Sequence, residues 1–161
     1  MSRLALIPRG TSPAVPAGYD RVEVPVERVV CMTSLQLSGF LRLGLLDKVA
    51  GIASSRHLHH AGIRRRIADG RTRRIGIEGN FDSEIILSIV PDLIFISPYK
   101  RGGYDALRDV DIPLVPHLGY KELTPLGQAE WIKFIALFTG DAELAVREFD
   151  SIETHYDALC E

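Results

Sequence analysis

Long apolar runs, cofactor loops and a surplus of one charge are all missing from this sequence. No stretch approaches the ~20 apolar residues that a bilayer-spanning helix needs. The opening "MSRLALIPRG" holds an apolar run too short for a signal peptide. The two cysteines, Cys31 and Cys160, fit no metal or redox spacing and define no disulfide. Lys plus Arg is 19 against 21 for Asp plus Glu, a net charge of −2 that argues against a general nucleic-acid binder. There is no G-x-G-x-x-G after the first Rossmann-like strand and no G-x-x-x-x-G-K-[ST], so dinucleotide and phosphate-loop readings lack their main support. Ser34 follows a strand, but "MTSLQ" is no G-x-S-x-G elbow. Nothing in this set demands catalysis.

What is present is globular. Hydrophobic residues make up 46% of the chain and charged residues 25%, and 161 residues suffice for one domain with a full core. "RLALIPRG" and "PAGYDRVEVPVE" read as two strands around a Pro/Gly-rich turn, a hairpin. From Arg28 strands and helices alternate. "RVVCM" (28–32), "VAGIA" (49–53), "RRIGI" (73–77), "LIFI" (93–96) and "PLVPH" (113–117) are strands. Helices are expected over 35–44, 61–70, about 104–110 and 124–140. Such alternation implies right-handed crossovers and a mainly parallel sheet flanked by helices.

One stretch, "NFDSEIILSIVPDLIFIS" (80–97), sets both fold and function. Asp82 is a good N-cap, and Glu84 lies in a first helical turn, where free N–H groups favour negative charge. Ile85, Ile86, Ile89 and Val90 form one apolar face, and Pro91 disfavours helix at Val90. Leu93–Ile96 is apolar without alternation, as expected of a strand covered on both faces. The end of the chain reads as a long amphipathic helix over 141–161, with Leu144, Ala145, Phe149, Ile152, Tyr156 and Leu159 at helical spacing and no stop signal after them.

Folds of this kind bind ligands beyond the carboxyl ends of their strands. Those ends carry "TSLQ", "SSRHLHH", "GIEGNFD", "SPYKRGG" and "HLGYKE", a polar set suited to an anionic ligand. His57, His59 and His60 invite a metal reading, and His117 could face the same crevice. No Asp, Glu or Cys within that segment completes a ligand set, so a solvated loop is favoured over a metal site. Arg64, Arg65, Arg66, Arg71, Arg73 and Arg74 lie within eleven residues, and the favoured reading is a solvated surface.

In order, these pieces resemble the class III periplasmic substrate-binding proteins of ABC importers for iron–siderophore complexes, haem and cobalamin. The resemblance rests on "RVVCMTSLQLSGFLRLGLLDKVAGIAS", on Gly76 followed eight residues later by Glu84, on Pro91-Asp92-Leu93-Ile94, and on Ile112-Pro113. "TPLGQAEWIKF" is similar to members of the Bacteroidetes branch. The resemblance implies one Rossmann-like lobe of a two-lobed, helical-hinge protein: residues 1–140 as the amino-terminal lobe, 141–161 as the start of the interlobe helix, and a carboxy-terminal lobe outside this chain. It implies no catalysis, no resident cofactor, and a location in the periplasm or anchored on its side of the membrane.

Glu84 matches the glutamate that docks on arginines of the membrane permease. Ser34, Arg56, His57, Tyr99, Lys100 and Tyr120 match pocket-lining loops. Phe81 is the nearest counterpart of an aromatic that cobalamin binders use. Arg56 is the best candidate for an anionic group, because a guanidinium forks onto carboxylate. The exposed final helix implies a possible non-native dimer. Two other classes stay open: a self-sufficient Rossmann-like enzyme or small-molecule-binding domain using the same crevice, and an interaction domain using the arginine-rich face.

Overall fold

The computed structural model describes residues 3–53, 58–77, 80–98, 107 and 111–160. Its centre is a five-stranded, all-parallel sheet in the order β5-β4-β3-β8-β9. The strands are β3 (Val29–Cys31), β4 (Val49–Ile52), β5 (Arg73–Arg74), β8 (Leu93–Ile96) and β9 (Leu114–Pro116). Successive strand residues point to opposite faces. Val29, Cys31, Leu93 and Phe95 therefore enter one core, with Leu37, Phe40, Ile135 and Phe138. Val30, Met32, Ile94 and Ile96 enter the other, with Ile75, Ile86, Ile89 and Leu107. Both faces are dry, which is why these strands show no apolar–polar alternation.

Five described helices flank the sheet: α1 (Ser34–Arg42), α2 (Ala61–Ala68), α3 (Ser83–Ile89), α4 (Pro125–Thr139) and α5 (Ala142–Cys160). Pro91 does stop α3. Val90, excluded from the right-handed region by the proline, takes φ 50° and closes the helix in the left-handed one. Gly140, at φ 82°, turns α4 back into α5, so that Ala145 and Phe149 share a core with Ile132 and Phe138. The expected helix near 104–110 lies outside the described residues except for Leu107, which is buried and helical.

Two expectations need correction. β1 (Leu4–Pro8) and β2 (Asp20–Val24) do pair, but in parallel, Leu4 opposite Asp20 and Pro8 opposite Val24. The connection, residues 9–19, is long enough to carry the chain back across the pair, which a hairpin turn is not. The segment 73–77 is not one strand. Arg73–Arg74 joins the main sheet, while β6 (Gly76–Ile77) pairs antiparallel with β7 (Asn80–Phe81) in a separate ribbon.

Asp92 explains the Pro-Asp break. Its Oδ2 accepts the N–H of Glu27 at 2.7 Å and of Arg28 at 2.9 Å, and its Oδ1 pairs with Arg9 at 2.9 Å. One carboxylate thus ties the head of β8 to the head of its neighbour β3. Burial raises its pKa, but the Glu27 N–H, Arg9 and the Arg28 N–H outweigh that and hold it below the usual carboxylate range.

Candidate functional site

Strand order defines where a ligand can bind. The chain builds from β3 outward to β4 and β5, then crosses to the other side of β3 for β8 and β9. The reversal falls between β3 and β8, and folds of this kind bind ligands outside the carboxyl ends of such a strand pair. Ser34 stands there, exposed, as the first residue of α1. Tyr99 and Lys100 follow β8, and Arg56 and His57 follow β4, but all four lie outside the described residues. Tyr120, in the short helical turn Gly119–Lys121 after β9, is 38% exposed.

The β3–α1 turn is built by a residue that the site prediction passed over. Gln36 is fully buried, and its Oε1 accepts the N–H of Met32 at 2.7 Å and of Thr33 at 3.0 Å. Thr33 Oγ1 in turn accepts the Gln36 N–H. This capping box satisfies the free donors at the start of α1 and aims Ser34 outward. Its signal, T-x-x-Q within "TSLQ", is in the sequence, and the polarity of that segment serves the cap rather than only a ligand.

His117 does not face the crevice. It is 2% exposed, with its ring 4.7 Å from that of Trp131 and 6.4 Å from that of Phe95. Burial pushes its pKa down to about 4, so at neutral pH it is an uncharged part of an aromatic cluster. Gly119 permits this packing. A Cβ there would lie 2.9 Å from His117 Cε1 and 3.1 Å from Trp131 Cγ. Of the histidine run, His59 and His60 are exposed. Among the described residues no three His, Cys, Asp or Glu side chains converge on a metal position, and no helix is long and apolar enough to cross a membrane.

Glu84 stands apart from the core. Asp82 caps α3 by accepting the Ile85 N–H at 2.9 Å, which leaves Glu84 free in the first turn. It is exposed and has no ion-pair partner among the described residues. Favourable interaction with the helix dipole contributes about 0.3–1 kcal/mol to a carboxylate so placed. Phe81, three residues before it, is half-buried and packs against the core of Ile75 and Ile86, so its ring serves the lobe at least in part.

Comparison with known proteins bears on what such an arrangement serves. No family model matches the chain. It is 27% identical over 147 residues to an uncharacterized lipoprotein of Methanocaldococcus jannaschii, covering 84% of this chain and 34% of that protein. The periplasmic haem-binding protein HutB of Vibrio cholerae superposes with a TM-score of 0.65 at 19% identity, over 82% of this chain and 48% of that one. For the petrobactin-binding protein YclQ of Bacillus subtilis the values are 0.62 and 19%, over 80% and 44%. For the periplasmic vitamin B12-binding protein BtuF of Vibrio cholerae they are 0.61 and 15%, over 84% and 50%. The fold is that of a single lobe of a class III binding protein. The chain spans about a third of the curated relative and at most half of these solved structures. These structural neighbours are binding proteins rather than enzymes.

Proposed function

We propose that this chain is the amino-terminal lobe of the solute-binding component of an ABC importer, which captures an iron chelate (siderophore or haem) or cobalamin and delivers it to a membrane permease. The observation that carries the reading is a conjunction. A class III lobe fold places its strand-switch crevice at one end of the sheet, and an unpaired exposed carboxylate, Glu84, heads α3 at that same end. Glu84 serves as the docking charge for arginines of the permease, and a second lobe supplies the opposite wall of the cleft. Residues 1–140 form the lobe and 141–161 begin the interlobe helix. The cargo contacts are Ser34, Tyr120 and Phe81, together with Arg56, His57, Tyr99 and Lys100 in the strand-end loops.

The haem, petrobactin and vitamin B12 ligands named for the neighbouring structures support a metal-chelate cargo, and the lipoprotein relative supports a membrane-anchored place outside the cytoplasm. The segment "TPLGQAEWIKF" favours the Bacteroidetes branch of the family. The test is transport. Glu84→Arg in the full-length receptor abolishes uptake and leaves cargo affinity nearly unchanged, since reversing a rim charge acts on association with the partner. Unaltered uptake by that variant removes Glu84 from docking.

A further inference from the structure

We propose that the opposite, amino-terminal end of the sheet carries a second binding site: a pocket for a compact phosphate-type oxyanion, formed by Arg28, Arg66, Arg71 and Arg73. It encloses about 280 Å³ between the heads of β3, β4 and β5 and the last turns of α2 and α3. The arginine run that sequence assigned to a solvated surface is thereby divided. Arg64, Arg65 and Arg74 are exposed outside the pocket, whereas Arg66, Arg71 and Arg73 line it and meet Arg28 from the head of β3.

The charge in this pocket is oriented and only partly neutralised. Arg28 Nε donates to the Ile89 carbonyl at 2.8 Å. Arg66 donates Nε to Thr72 Oγ1 at 3.2 Å and Nη2 to the Asp47 carbonyl at 2.9 Å. These acceptors are neutral, so they hold two guanidiniums in place without themselves cancelling the charge, and Asp47 is the counter-charge nearest in effect to Arg66. The Arg73 guanidinium makes no hydrogen bond or ion pair among the described residues, and of the four guanidiniums only that of Arg71 pairs with a carboxylate, Asp69 at 2.6 Å. Two carboxylates, Glu27 and Asp47, line the pocket, and Glu27 is engaged by Lys48 at 3.1 Å.

Satisfying the carbonyls of Ile89 and Asp47 accounts for Arg28 and Arg66 alone. It does not account for two more arginines at the same cavity. Burial first, and then the neighbouring Arg71, push the Arg66 guanidinium below its ordinary pKa against the opposing charge of Asp47, so crowding by Arg71 adds to the effect of burial. A tetrahedral oxyanion relieves that crowding and offers paired oxygens to planar guanidinium forks. The volume lies just below the roughly 300–1,000 Å³ range of small-molecule pockets, enough for a phosphoryl group and too little for a macrocyclic chelate. Its place, at the far end of the sheet from the crevice, makes it independent of the cargo reading.

The experiment titrates the 161-residue chain with inorganic phosphate by calorimetry and sediments it with phosphatidylglycerol vesicles. Saturation at one phosphate per chain identifies a free anion; retention on vesicles without phosphate saturation identifies a lipid headgroup. Either binding is expected to weaken by more than about tenfold in Arg71→Gln/Arg73→Gln. Arg64→Gln/Arg74→Gln, the same charge change outside the pocket, is expected to leave it intact. All four side chains are exposed, and circular dichroism checks that both variants fold. Absence of binding to both probes overturns the site, and so does an equal loss in the second variant, which would mean diffuse surface charge.

Discussion

Replacing Asp92 by alanine removes one carboxylate and strands three groups. The N–H groups of Glu27 and Arg28 lose the acceptor they reach at 2.7 and 2.9 Å, and Arg9 loses its ion pair. A hydrogen bond to a charged group is worth about 1.5–3 kcal/mol, against about 0–1 kcal/mol for an exposed ion pair. The Asp92 side chain is 24% exposed, so water partly replaces the lost acceptor, and Asp92→Ala should cost about 2–4 kcal/mol. For a chain of this size that lowers the melting temperature by roughly 5–15 °C. Arg9, 45% exposed, should cost below about 1 kcal/mol when changed to alanine, and Asp92→Asn should fall between the two. Urea unfolding can be followed through Trp131, the single tryptophan. The sign with pH is fixed by a folded-state pKa below the ordinary one. The stabilisation is complete above the unfolded carboxylate range and is lost as pH falls through the lower folded value, so Asp92→Ala should respond less to acid than the parent. Equal small losses for Asp92→Ala and Arg9→Ala would refute the argument, because they would leave the two backbone donors with no energetic weight.

His117 is protonated in the unfolded chain below about pH 6.5 but in the folded chain only near 4. Stability should therefore fall by on the order of 3 kcal/mol between those values, and His117→Phe should flatten that part of a denaturation–pH curve. Gly119→Val drives a side chain into the His117 and Trp131 rings and should cost about 1–3 kcal/mol in thermal melts. Beyond Phe149, α5 leaves only Ile152 partly covered, with Tyr156 36% and Leu159 86% exposed. Sedimentation of this chain should show concentration-dependent dimers that Tyr156→Glu/Leu159→Glu removes; an unchanged dimer would place the contact elsewhere. Calorimetry against ferric siderophores, haem and cobalamin should give affinities weaker than about micromolar, since tight pockets bury 70–90% of a ligand and one lobe offers a single wall. A nanomolar one-to-one complex would instead mark a self-sufficient module.

What the sequence determined by itself was local. The apolar run Leu93–Ile96 announced a strand covered on both faces, Pro91 ended α3, and Gly140 ended α4, because side-chain period, proline sterics and glycine freedom act within a few residues. The class III lobe was legible for the same reason, as an ordered series of such local signals. Only the tertiary structure decided that β1 and β2 run parallel and that strand order reverses between β3 and β8. It alone gave Asp92 its partners, 64 to 83 residues away in the chain. It also sent His117 inward beneath Trp131 and divided one arginine run between open surface and pocket. Each of these depends on which distant segments lie side by side. Pairing of that kind is settled by burial of the whole sheet on two faces, and no window of neighbouring residues contains it.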